Sequence, residues 1–185
     1  MTGAVYLLRH GVTCLNEEGR LLGSRDVPLS PEGHAQARRA AEILVGMPIA
    51  RIWSSPLSRA HETARYVGER LGLEVTCRDA LQERDWGVFE GRPRSERPAM
   101  CPEPDGGEPE ADFEARVGSI FAEAVAAAPV LLVTHSGVMR VTYRIAGCSP
   151  GPSLGHGVPV ALRPEWDGWR ADIIRETPMG RQAGR

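Results

Sequence analysis

Uninterrupted apolar runs alternate with apolar stripes of helical spacing along most of this chain, and that alternation sets its fold class. Ala4 to Leu8 is a short apolar run, the pattern of a strand buried on both faces. Ser30-Pro31 puts a capping side chain ahead of a proline suited to the first helical position, and opens a helix to about Val45. "ARIW", ending near Ser54, reads as a second strand, and Ser55-Pro56 repeats the cap-and-proline signal. Behind it Leu57, Ala60, Ala64, Val67 and Leu71 recur at gaps of three and four, one face of a helix. Glu74 to Cys77 reads as a third, short strand. Phe113, Val117, Ile120, Phe121 and Ala124 form another helical stripe, and "PVLLVTHSG" then repeats the opening arrangement of apolar strand, histidine and small residues. A helix over Gly137 to Ala146 follows, and Val158–Leu162 and Arg170–Ile174 pair as late strands around the turn "EWDGW".

Strands alternating with helices predict an α/β fold, a three-layer α/β/α sandwich around a mainly parallel sheet. At 185 residues and 42% hydrophobic, residues 1–175 suit one domain. Residues 91–112, rich in proline, glycine and charge, are expected to form a surface loop or lid, and residues 176–185 a loose polar tail. In open α/β sheets ligands sit outside the carboxyl ends of the strands. Here Arg9-His10 follows the first strand, Arg59 lies just past the second, and His135 follows the fourth. Three strand ends thus deliver basic groups to one edge.

Charge narrows the chemistry. A net charge of -2 and a pI near 6.2 exclude a general nucleic-acid binder. All 22 basic residues are arginine, so any anion site must be built from guanidinium forks. Cys14, Cys77, Cys101 and Cys148 are scattered without metal-ligand spacing, which points to a reducing, cytoplasmic compartment and away from structural zinc. The opening apolar run is too short for a signal peptide or a membrane span, so no membrane partner is expected.

An arginine near the start of a helix opposes the helix dipole, unless an anion shares the site. Gly11, lacking Cβ, is expected to let the backbone approach a bulky ligand. A phosphoryl group in transfer spreads negative charge over three oxygens, so fixed donors around it supply most of the catalysis. Arg9, Arg59 and the histidines supply such donors. A neutral imidazole can attack phosphorus, and neighbouring guanidinium groups help to keep it neutral. The leaving alkoxide then needs a proton, which requires an acidic residue on the same edge.

The residues that meet these demands resemble those of the histidine phosphatase superfamily, the group containing phosphoglycerate mutases, fructose-2,6-bisphosphatase and α-ribazole phosphatases. "LLRHGVTCLN" is similar to the nucleophile motif, which implies His10 as the phosphorylated histidine and Arg9 and Asn16 as phosphate contacts. "SSPLSRAHETA" is similar to the second motif and implies Arg59 as a clamp; "LQERDWGVFEG" implies Glu83 as proton donor; "VTHSGVMR" implies that His135 binds phosphoryl oxygens. Ser136 stands where glycine is common, so its hydroxyl or amide can contact the ligand. "GGEP" is near the Gly-Glu-Ser of many small phosphatases and adds Glu108 as a contact to substrate or water. His156, between two glycines ahead of a late strand, joins the substrate contacts by loop position alone. The resemblance implies a phosphoglycerate mutase-like fold and a phosphatase acting on a small phosphorylated substrate, with no metal or organic cofactor. A homodimer, common in this class, is an open expectation.

Three rival readings compete. Cys14 and Arg20 have the spacing of a cysteine-dependent phosphatase, but Glu17 and Glu18 between them would repel a phosphate dianion. A cofactor-dependent phosphoglycerate mutase would carry a longer segment between acid and last histidine than the proline-broken stretch found here. A non-catalytic phospho-ligand binder would be expected to lose the nucleophile or the acid, and this chain retains both.

Overall fold

The computed structural model describes residues 3–98, 102–149, 151 and 155–175. Six strands, β1 (Val5–Arg9), β2 (Arg51–Ser54), β3 (Val75–Cys77), β4 (Val130–Thr134), β5 (Pro159–Glu165) and β6 (Gly168–Ile173), form one sheet in the order β3-β2-β4-β1-β5-β6. The first four in that order are parallel, and β5 and β6 add on as an antiparallel hairpin. This is the mainly parallel α/β sandwich that the alternation predicts.

The pleat of β1 divides the core. Val5 and Leu7 face one side and pack with Leu132, Val117, Ile120, Phe121 and Met139. Tyr6 and Leu8 face the other, with Leu131, Ala40, Leu44, Ala64 and Val67. Helices α4 (Glu110–Ala127) and α5 (Ser136–Ile145) therefore cover one face, and α2 (Pro31–Ile43) and α3 (Ser58–Leu71) the other. Leu7 and Leu8 are fully buried, each worth about 1.5–3 kcal/mol.

Helix boundaries show where local signals yield to the site. Ser30 caps α2 as expected, its side chain accepting from the Gly33 amide, with Pro31 at the first position. The second cap-and-proline signal behaves differently. α3 starts at Ser58 behind Leu57, with no side-chain cap. Ser55 instead binds the Leu57 amide at 3.3 Å and the ring of His135 at 2.9 Å. Arg59 is consequently the second residue of α3, closer to its N-terminus than the sequence implies. A short helix, α1 (Cys14–Glu17), was not foreseen; Thr13 and Asn16 close a capping box around it.

The expected lid segment is partly anchored. Pro93 bridges to Arg20, the Leu21 amide donates to the Arg92 carbonyl at 2.9 Å, and the Gly91 amide to the Leu21 carbonyl at 2.7 Å. Its end is helical, because α4 already begins at Glu110. Residues 176–185, expected to be a loose tail, lie outside the described residues.

Candidate active site

β2, β4 and β1 are neighbours in the sheet and parallel, so their carboxyl ends share one rim. Arg9 ends β1 opposite Thr134, the last residue of β4, and the His10 amide donates to the Thr134 carbonyl at 3.0 Å. The next residue of each strand is a histidine, and the rings of His10 and His135 stand with centroids 5.0 Å apart. His156 brings a third ring 5.1 Å from His10, its Nδ1 donating to the His10 carbonyl at 3.0 Å.

The hydrogen bonds of His10 fix its tautomer. Nδ1 lies 2.7 Å from the Gly11 carbonyl. A carbonyl can only accept, so Nδ1 carries the proton and Nε2 keeps its lone pair. Burial first, then His135, Arg59, His156 and Arg9, hold the pKa of His10 well below 6.5. The ring is neutral, and its Nε2 lone pair is available to attack an electrophile.

His135 is completely buried. The Ser55 hydroxyl accepts from the Leu57 amide, so its own proton can go to Nε2 of His135 at 2.9 Å. Nδ1 is then the protonated nitrogen, and it has no partner among the described residues. An oxyanion would satisfy it. Burial, followed by Arg59, Arg9 and Arg116, lowers the pKa of His135 well below 6.5.

Arg59 is 1% exposed and would be costly at a helix N-terminus without compensation. Its Nη1 donates to the Arg25 carbonyl at 2.6 Å and its Nη2 to the Gly23 carbonyl at 2.8 Å. Burial lowers the pKa values of Arg9 and Arg59 to about 10, with Glu83 opposing the shift at both, and both stay charged near neutrality. α3 also fixes the loop after His10, since Thr63 accepts from the Gly11 amide at 3.0 Å and donates to the Arg59 carbonyl at 2.7 Å. Asn16 uses Oδ1 to accept from the Thr13 amide at 3.3 Å, which leaves its Nδ2 hydrogens as donors to a ligand.

Glu83 sits against the N-terminus of α5. Its Oε2 accepts from the Gly137 amide at 2.9 Å and lies 3.4 Å from the Ser136 hydroxyl, while Oε1 accepts from the Arg84 amide at 3.0 Å. Gly137 makes this possible, because a Cβ there would fall 2.1 Å from Oε1.

Arg9, His10, Asn16, Arg59, Glu83 and His135 all line one cavity of about 40 Å³, the scale of a phosphoryl group. The remaining expected contacts stand outside it. Ser136 turns its hydroxyl to Glu83 rather than to the cavity. Glu108 is held in a bidentate pair with Arg116, at 2.6 and 2.8 Å, and braces the loop bearing Glu83. His156 supports His10 from behind through the main chain. Gly11 differs as well: the space of its missing side chain is taken by the backbone of Gly33, 2.3 Å from a built Cβ, so it serves packing of α2 and not ligand approach. Cys14 is exposed at the start of a helix and Arg20 pairs with Glu18, so that spacing forms no phosphate loop.

Sequence reasoning overlooked two groups. Arg116 donates to the carbonyls of Ala80, Gln82 and Glu83 at 3.0, 2.8 and 3.2 Å, besides binding Glu108. Its signal was an arginine three residues after Phe113, in step with the buried stripe of α4. Arg94, Arg97 and Arg140 line the cavity too; Arg140 closes the "VTHSGVMR" motif, and no local pattern marks Arg94 or Arg97.

Residues 5–155 match the model of the histidine phosphatase superfamily (branch 1). The chain belongs to this superfamily. It is 39% identical over 100 residues to the uncharacterized phosphatase PhoE of Bacillus subtilis, which is 54% of this chain and 52% of that one. It is 41% identical over 88 residues to a probable phosphoglycerate mutase GpmB of Enterobacter, covering 48% and 41%. The aligned segments therefore span about half the length of these curated relatives. The glucosyl-3-phosphoglycerate phosphatase of Mycobacterium tuberculosis is 35% identical over 158 residues, covering 73% and 71%. A mycobacterial glucosyl-3-phosphoglycerate phosphatase solved with VO3 superposes with a TM-score of 0.79 at 30% identity, over 92% of this chain and 97% of that one. Among the described residues no helix is long and apolar enough to cross a membrane, and no group of three or more His, Cys, Asp or Glu could hold a metal ion.

Proposed function

We propose that this protein is a phosphomonoesterase that hydrolyses a small phosphorylated metabolite through a phosphohistidine at His10. One observation carries the reading: a buried, neutral imidazole whose Nδ1 proton is engaged by the Gly11 carbonyl, leaving Nε2 free beside two charged arginines.

In the first half-reaction the Nε2 lone pair attacks phosphorus and the bond to the ester oxygen breaks. Its electron pair leaves with the alkoxide, which takes a proton from the carboxylic acid of Glu83. Arg9, Arg59 and His135 hold the equatorial oxygens, and Asn16 adds a donor. Such preorganised donors are each worth about 10²- to 10³-fold in rate. In the second half-reaction water gives its proton to the Glu83 carboxylate and attacks phosphorus, and the N–P bond breaks to restore neutral His10. The two amides and one hydroxyl around Glu83 hold it in place for both transfers.

Candidate substrates are sugar phosphates, α-ribazole 5'-phosphate, and by similarity to the mycobacterial relative a glucosylated phosphoglycerate. The free thiols of Cys14, Cys77 and Cys148 support a reducing, cytoplasmic setting. The similarity to GpmB favours a second reading, a cofactor-dependent phosphoglycerate mutase.

The test is phosphate release from p-nitrophenyl phosphate and from a phosphomonoester panel, with and without 2,3-bisphosphoglycerate. His10→Ala is expected to cost at least about a thousandfold in kcat/KM and to abolish an acid-labile phosphoryl label. Undiminished turnover in that variant refutes the reading. Isomerisation dependent on bisphosphoglycerate selects the mutase, and phosphate binding without any turnover selects a non-catalytic binder.

A further inference from the structure

The cavity that would receive the phosphoryl group holds more positive charge than one phosphate dianion needs. Six arginines line it, Arg9, Arg20, Arg59, Arg94, Arg97 and Arg140, against the single carboxylate of Glu83. Arg9 and Arg59 serve the transferred group, and Arg20 is paired with Glu18 at 2.7 Å. Arg94, Arg97 and Arg140 form no ion pair among the described residues. Arg97 is held over the Trp86 ring at 4.7 Å, which also carries Arg84 on its surface at 4.4 Å. Burial, then the charges of Arg140, Arg94 and Arg84, lower the pKa of Arg97, and Glu83 opposes them.

A second, larger cavity of about 440 Å³ adjoins the first, and the two share Glu83, Trp86, Arg97 and Arg140 as a common wall. If Glu83 protonates the departing oxygen, the alcohol must lie on the Glu83 side, where the large cavity opens. The wall between the two cavities carries Arg97 and Arg140 beside Glu83 and Trp86. Glu110 and Glu114 also line the larger cavity, the latter paired with Arg144 at 2.5 Å. Arg97 and Arg140 at the shared wall, having no ion pair among the described residues, are the groups placed to meet negative charge on the alcohol.

We infer that Arg94, Arg97 and Arg140 form a second anion subsite, and that the substrate is a phosphomonoester whose alcohol carries another anionic group, a carboxylate or phosphate, near the ester carbon. This deepens the phosphatase reading and rests on it. A neutral alcohol would leave the cluster uncompensated, whereas a carboxylate or phosphate would accept from planar forks in two-pronged fashion.

The experiment compares kcat/KM within matched pairs: 3-phosphoglycerate against glycerol 3-phosphate, and 1,3-propanediol bisphosphate against propyl phosphate. The native enzyme is expected to favour the anionic member of at least one pair by tenfold or more, and which pair responds identifies carboxylate or phosphate. In Arg97→Gln/Arg140→Gln that ratio is expected to fall to within about threefold of unity. No preference in the native enzyme, or a ratio unchanged in the double variant, overturns the subsite. Failure of the phosphatase reading shows separately, as absence of phosphate release from every compound. Calorimetric titration then decides the subsite: 3-phosphoglycerate or the bisphosphate must bind at least tenfold tighter than its neutral counterpart and lose that margin in the double variant, or the inference is wrong.

Discussion

Replacing His156 with asparagine isolates one titrating group of the site and gives a magnitude that can be measured. Its Nδ1 donates to the His10 carbonyl at 3.0 Å, a bond the amide nitrogen of asparagine can reproduce without a titratable ring. Burial, with Arg9 next, lowers the pKa of His156 to about 4. An unfolded chain takes up this proton below about 6.5, and the folded chain refuses it until about 4. The unfolded state thus binds more protons in that window, so stability is lost as the pH falls and is unaffected above it. Between pH 7 and pH 5 the histidine alone costs about 1.8 kcal/mol, because a unit of separation is worth 1.36 kcal/mol and the unfolded group is only partly charged at the start. His10 and His135 add losses of the same sign, since burial depresses both. Urea unfolding followed by tryptophan fluorescence at pH 7 and pH 5 reads the double difference. His156→Asn should lose about 1.8 kcal/mol less than the native protein across the interval. Equal losses, within about 0.5 kcal/mol, would show that His156 is not held neutral by the site and would refute the electrostatic account of the three-ring cluster.

Gly137→Ala puts a Cβ 2.1 Å from Glu83 Oε1, the movable end of a side chain, so kcat should drop about a hundredfold with little change in Tm; an unaffected kcat would separate Glu83 from the chemistry. Gly11→Ala meets backbone instead, 2.3 Å from the Gly33 carbonyl, and should cost about 1–3 kcal/mol in urea titrations, whereas a neutral result would show that α2 and the nucleophile loop are not in fixed contact. Arg116→Gln frees Glu108 and three carbonyls of the acid-bearing loop, and should lower kcat about tenfold or more while KM for p-nitrophenyl phosphate stays within about twofold. A fall in Tm with kcat unchanged would mark Arg116 as structural alone.

The parts of this molecule readable in its sequence are those determined by short-range regularity. Alternation of apolar runs with helical stripes placed the starts of the strands within two residues, since a strand buried on both faces and a helix buried on one leave different periods, though β5 runs three residues past its expected end. Convergence of Arg9-His10, Arg59 and His135 followed from one rule about strand ends, and β2, β4 and β1 being neighbours gives it geometric effect. Local chemistry misleads where tertiary demand is stronger: Ser55 looks like a cap but holds His135, and the space beside Gly11 belongs to Gly33. Glu108 and Ser136 lie near the acid in space, and only the paths of Arg116 and α5 decide that they face Glu83 or its loop instead of the cavity. Arg94 and Arg97 lie more than forty residues before Arg140 in the sequence, so nothing but the fold gathers the three.

The absence of lysine takes on a physical meaning at the rim of the sheet. The proposed chemistry needs cations and an uncharged imidazole in one water-poor cavity, and burial acts on both in the same direction, towards the neutral form. A lysine ammonium begins about two units lower than a guanidinium and gives up its proton readily when buried, so it would share the fate of the ring. Arg9 and Arg59 are pushed down only to about 10, while His10 is driven well below 6.5 by the same burial and by those very charges. One environment therefore yields a charged clamp around a discharged nucleophile at neutral pH, with the acid held at the helix end opposite. A chain without lysine therefore loses nothing at this site, because lysine could not have done the work of Arg59.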